Sequence, residues 1–187
     1  MAAHEMIDCL ARYYPLSAEF RAQFSAALTI KNYRKGQNLL PHKTLYSLWF
    51  INKGLAKGCY HSQDGKEHIT RLWEQNQIML LPPKRDQAPC PVEQIILLED
   101  CVLSNIQTSA MMLMYQTLSE AARLASKIIT EDLHKANLKS YLSALPAQQA
   151  YTRFTELFPA NRILFKDIAS FLEITPSTLS EIRRKRA

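Results

Sequence analysis

Residues 167–185 read "DIASFLEITPSTLSEIRRK", and the spacing of their apolar side chains predicts two short helices joined by a tight turn. Ile168, Leu172, Ile174, Leu179 and Ile182 fall at offsets that pin two such helices together, and Ala169 is small enough for the second to cross the first. Thr175 is placed to cap the second helix. Pro176 suits its first position, because proline lacks only an N–H that would be unpaired there. Ser177, Thr178, Ser180, Glu181 and Arg184 are left facing outward, with Arg183, Lys185 and Arg186 beside them. Short hydroxyl side chains at a helix N-terminus, followed by arginines, suit entry into a DNA groove and contact with phosphates. The plainer alternative is a helical hairpin with a basic, solvated end.

Upstream of this hairpin, "AQQAYTRFTELFP" predicts an amphipathic helix stopped near Pro159, and Leu145-Pro146 separates it from what precedes. Residues 109–144 hold no Gly and no Pro and are rich in Ala, Leu, Met, Lys and Glu, which favour helix. Within them Met114, Leu118, Ala121, Ala125 and Ile128 form an a/d stripe with small residues at its centre. Two readings stand: a helix packed on its own domain, or the close-packed helix of a homodimer. The homodimer is the expectation adopted.

From about residue 29 to residue 108 the pattern turns β-like. "LYSLWFINKG" and "LAKGCYHS" are strand-length runs joined at Lys53-Gly54, and Asp64-Gly65 marks a hairpin leading into "HITRLW". "QIILLED" and "CVLSNI" supply two further strands. Strands at this spacing, without alternating helices, predict an antiparallel sandwich or barrel. The first 30 residues are helical, with Phe20, Phe24 and Leu28 on one face behind Ser17 as N-cap. The fold class is therefore α+β. It comprises N-terminal helices and an antiparallel β-roll over 1–108, a long helix over 109–144 and a helical unit over 145–187.

The net charge of +6 and pI near 9.2 favour an acidic partner, of which nucleic acid is the commonest. Cys9, Cys59, Cys90 and Cys101 include no C-x-x-C pair, so they read as reduced thiols of a cytoplasmic protein, with no metal or other cofactor expected. The N-terminus, MAAHEMIDC, has no basic region followed by an apolar stretch, and no run approaches the length of a membrane span.

The string over 167–185 resembles the helix-turn-helix of the Crp/Fnr family of bacterial regulators, closest to a branch common in Bacteroidetes. "KGQNLL", "LWFINKGLAKGCYHSQDGKEHITRLW" and "LLEDCVLSNI" resemble that family's cyclic-nucleotide-binding-like β-roll, a double-stranded β-helix of jelly-roll type. "LPAQQAYTRFTELFP" resembles its lead-in helix. The resemblance runs from about residue 35 to residue 186. It implies a non-enzymatic, homodimeric transcriptional regulator that reads a palindromic DNA site, with Lys166 supporting the recognition helix from the preceding one.

Three departures qualify it. The stretch "MLLPPKRDQAPCPVEQ" lacks the Gly-Glu of the family's phosphate-binding cassette, so any effector is not expected to be a cyclic nucleotide. Lys84, Arg85 and the strand faces around Trp73 are the candidate effector pocket. Glu173 stands where the family usually has Gly, and a left-handed backbone there costs about 1 kcal/mol. Ser177 and Glu181 replace the Glu and Arg usual in this branch. A carboxylate at 181 accepts only from base amino groups and is repelled by phosphate.

Two other classes compete. A cupin-like metal enzyme also uses a β-roll, but needs clustered ligands. His4, His42, His61, His68 and His134 are scattered, although His61 and His68 flank one turn. A protein-interaction module that has lost DNA binding would accommodate Glu181.

The missing cassette generates a first prediction. A ligand at a hundred times its dissociation constant adds about 2.7 kcal/mol of stability. Millimolar cyclic AMP or cyclic GMP is expected to leave the melting temperature unchanged in a thermal-shift assay, and a rise of several degrees overturns this.

Overall fold

The computed structural model describes residues 2–39, 47–81 and 92–185. Helices α1 (Ala2–Tyr13) and α2 (Ala18–Ala27) lead into strands β1 (Leu28–Tyr33), β2 (Asn38–Leu39), β3 (Ser47–Lys53) and β4 (Leu55–His61). Strands β5 (Glu67–Glu74), β6 (Ile78–Leu81), β7 (Gln94–Leu97) and β8 (Cys101–Ile106) complete the β region. Helices α3 (Thr108–Thr117), α4 (Ser119–Ala144), α5 (Ala147–Leu157), α6 (Phe165–Phe171) and α7 (Pro176–Arg184) follow. Helix α2 starts where its cap sits: Phe20 N–H donates to Ser17 Oγ at 3.0 Å.

The strands form two antiparallel sheets, in the orders β1-β8-β3-β6 and β2-β7-β4-β5. Between them lies the interior of the roll, where Ile51, Ala56, Trp73, Met79, Ile95 and Leu103 pack. Two glycines are dictated by this geometry. Gly54, between β3 and β4, has φ +125°, and a Cβ there would stand 2.3 Å from Cys101 Sγ. Gly58 lies against the Trp73 ring, so only a residue without a side chain fits beneath the indole.

The outer face of the first sheet carries the N-terminal helices and α3/α4 through Phe20, Phe24, Leu48, Phe50 and Leu80. The outer face of the second carries the C-terminal helices through Leu55, Cys59, Ile69 and Leu72. Strand β4 is consequently buried on both faces from Leu55 to Cys59, the charged Lys57 included.

The helix expected over 109–144 is broken. Leu118 adopts an extended conformation (φ −121°, ψ 111°), closing α3 and opening α4. No Pro or Gly marks the break. Leu118 is buried in the core between the helices and the first sheet, and tertiary packing overrides helix propensity there.

The close fit of Gly58 yields a stability prediction. A Cβ at this position would stand 2.8 Å from Trp73 Cη2 and 2.9 Å from its Cζ3. Gly58→Ala is expected to displace the indole and destabilise the chain by about 1–3 kcal/mol in urea unfolding. An unchanged midpoint contradicts this packing.

Candidate nucleic-acid interface

Helices α6 and α7 form the hairpin anticipated at the chain's end. Helix α6 closes with two hydrogen bonds: Glu173 N–H donates to Ser170 O at 3.3 Å, and Ile174 N–H to Ala169 O at 3.1 Å. This is a Schellman closure, with the left-handed residue supplied by Glu173 at φ 58°. Glutamate is therefore strained where glycine would be relaxed, and its carboxylate pairs with Lys139 of α4.

Helix α7 opens at Thr175, whose Oγ1 accepts from Thr178 N–H at 3.1 Å, with Pro176 in the first turn. Leu179 and Ile182 are buried against Ile168, Ala169, Phe171 and Leu172. Behind them Phe154, Phe158 and Phe171 form an aromatic trio with ring centroids 4.9, 5.7 and 5.5 Å apart. Sequence reasoning did not single out this trio, although the i, i+4 pair Phe154/Phe158 signals it.

Ser177, Ser180, Glu181, Arg183, Arg184 and Lys185 are exposed, Thr178 is half-buried, and Lys166 is exposed on α6. Arg183 lies over the Phe165 ring at 5.7 Å, which restrains its guanidinium beside α6. The hydroxyls of Ser177 and Thr178 each lie 2.8 Å from Thr175 Oγ1, so both are engaged at the cap. Arg186 lies outside the described residues.

Other candidate residues sit differently from expectation. Met114, Leu118, Ala121 and Ile128 are buried in the chain's own core and Ala125 is half-buried. The stripe expected to meet a second copy thus packs against α2 and the first sheet, whose apolar face needs covering. Ile129 and Leu133 are the exposed apolar residues of α4 next in line. Trp73 is 1% exposed and fills the roll interior rather than lining an open pocket. Lys84 and Arg85 lie outside the described residues.

His61 and His68 do not face each other. His61 is registered with Glu67 and His68 with Tyr60, so they point to opposite faces of the hairpin. His68 instead stacks on Tyr60 and lies 3.1 Å from Ser62 Oγ. Among the described residues no group of three or more His, Cys, Asp or Glu side chains is arranged to hold a metal ion, and no helix is long and apolar enough to cross a membrane.

An antiparallel roll, flanking helices and a terminal helix-turn-helix together make the architecture of the Crp/Fnr regulators. FixK2 from Bradyrhizobium japonicum superposes with a TM-score of 0.70 at 15% identity, over 84% of this chain and 83% of that one. A protein of Eubacterium rectale described as a transcriptional regulator of the Crp/Fnr family gives 0.70 at 14% identity, over 93% and 87%. CLP of Xanthomonas campestris, a c-di-GMP responsive global regulator, gives 0.64 at 15% identity, over 90% and 91%. No protein-family model and no curated protein matches the sequence.

The cap on α7 is open to a direct test. Thr175→Ala removes the acceptor for Thr178 N–H and is expected to cost about 1 kcal/mol of stability. Thr175→Ser, which keeps the hydroxyl, is expected to cost only a fraction of that in the same thermal melts. Equal losses for the two variants contradict the cap.

Proposed function

We propose that this chain is a DNA-binding transcriptional regulator of Crp/Fnr type, acting in the cytoplasm as a homodimer on a palindromic site. The observation that carries this reading is helix α7. It is capped by Thr175 and pinned by Leu179 and Ile182, and it presents Ser180, Glu181, Arg183, Arg184 and Lys185 to solvent. A recognition helix needs that combination of a rigid inner face and an unencumbered polar outer one. The likeness of residues 167–185 to the Bacteroidetes-type branch supports the same assignment. The chain divides, in this reading, into a sensor roll over 1–108, a connecting helix over 109–144 and a DNA-binding unit over 145–187.

Ser177, Thr178 and Glu181 approach base edges. Thr175 at the cap and Ser180 on the helix complete the contact set, while Arg183, Arg184, Lys185, Arg186 and Lys166 lie nearer the phosphates. Two copies place their recognition helices about 34 Å apart, one helical turn of DNA. The dimer contact falls to Ile129 and Leu133, exposed on α4. Any small-molecule effector acts at the roll and is not a cyclic nucleotide. The c-di-GMP responsiveness of CLP, which has this fold, is in keeping with a small-molecule input. One observation favours a second reading, a protein-interaction module: Glu181 stands exposed on the outward face, where a carboxylate repels phosphate.

Binding measured across a salt series separates the two. Arg184→Ala is expected to weaken binding to all sequences alike and to lower the salt slope by about one unit for each phosphate left without its cation. Ser177→Ala and Glu181→Ala are expected to relax base preference at one position per half-site and leave the slope unchanged. Glu181→Arg is expected to raise affinity for any DNA. If none of the four alters DNA retention at low salt, the interaction-module reading replaces this one.

A further inference from the structure

We propose that Lys57, Glu67 and Asp167 form an ionic latch that docks the helix-turn-helix on the edge of the roll as a separable state. Lys57, on β4, is 4% exposed, and Asp167, on α6, is 1% exposed. Lys57 Nζ donates to Glu67 Oε1 at 2.6 Å within its own hairpin and to Asp167 Oδ1 at 3.1 Å across the junction. Burial works against the ammonium, but the hydrogen bond to Glu67 and the charge of Asp167 outweigh it and hold the Lys57 pKa above its ordinary value. Beside the pair, Ser170 Oγ of α6 accepts from Ile69 N–H at 3.1 Å and donates to Glu67 O at 3.2 Å, closing the outer edge of β5.

Two features make this junction openable rather than permanent. The triad sets two carboxylates against one ammonium, and Asp167 Oδ2 is buried with no hydrogen-bond partner. A buried ion pair contributes little net stability over apolar packing, yet losing one partner is severe because the other charge is left alone. Leu55, Cys59, Ile69 and Leu72 pack against the C-terminal helices around the triad, which is the polar point within that apolar junction. Glu67 is only partly buried and also feels the charge of Lys166, so Lys57 parted from Asp167 keeps a solvated partner and the junction can reopen. In the docked state the outward face of α7 stays exposed, so the latch governs how the helix-turn-helix is carried without covering it.

The latch stands independently of what α7 binds, and amide hydrogen exchange on the full chain tests it without DNA. Ile69 N–H reports docking, and the amides of the central strand β8 report the integrity of the roll. Lys57→Met is expected to speed exchange at Ile69 on the order of a hundredfold while β8 is unaffected. Asp167→Asn, which alters only the helix side, is expected to speed Ile69 less, and serves if Lys57→Met does not fold. Lys57→Met combined with Asp167→Leu is expected to bring Ile69 back to within about threefold of the unaltered chain, because matched apolar side chains replace the buried pair while the partly exposed Glu67 turns to solvent. The latch is overturned if neither single variant speeds Ile69, if the double variant exchanges as fast as Lys57→Met, or if β8 accelerates equally.

Discussion

Burial of strand β4 on both faces is the constraint from which the positions of the other parts follow. Its inward residues, Ala56 and Gly58, leave room for the Trp73 indole that fills the roll. Its outward residues, Leu55, Lys57 and Cys59, are covered by the C-terminal helices. One strand therefore touches both the roll interior and the helix-turn-helix. Where Gly58 pairs with Arg71 and Cys59 with Ile69, Thr70 is the extra residue of a bulge on β5, and β4 keeps its regular alternation between the two surfaces. Cys59 takes part as packing: burial, then the charge of Glu67, pushes its thiol up to about 12, so it stays protonated and unreactive.

The helix-turn-helix combines a rigid inner side with one strained point. Its turn requires a left-handed residue, and Glu173 meets that need at φ 58° because the hydrogen bonds around it and the buried Ile168, Leu172 and Leu179 over-determine the geometry. The Glu173 carboxylate gains a partner in Lys139, tying the turn to the long helix. A second pair, Arg162 with Glu99, joins the segment ahead of α6 to the loop ahead of β8. Both pairs are partly exposed and contribute far less than the apolar packing behind them.

Much of this was legible because local chemistry and tertiary structure agree. Thr175 and Pro176 announce a helix start, Asp64-Gly65 a hairpin, and Ser17 the start of α2. The left-handed backbone at residue 173 followed from the resemblance, because the family usually has glycine there. The rest depends on partners distant in sequence. The α4 stripe has the same spacing whether it faces another copy or its own sheet, and only the uncovered sheet face decides between them. Leu118 breaks a helix with no breaker, since its burial is set by elements far away. Lys57 sits 110 residues from Asp167, and in the sequence each is an ordinary charge on an amphipathic element. The opposed directions of His61 and His68 follow from strand register, which a turn motif alone leaves open.

Sealing of the β5 edge has a consequence beyond docking. An open sheet margin offers a row of donors and acceptors to any passing strand, and is a common starting point for aggregation. Ser170 occupies the donor of Ile69 and the acceptor of Glu67, two of the groups an intruding strand would pair with at the start of this edge. The helix-turn-helix thus chaperones the roll it is attached to. Loss of the C-terminal helices would expose that margin and lower the protein's colloidal solubility.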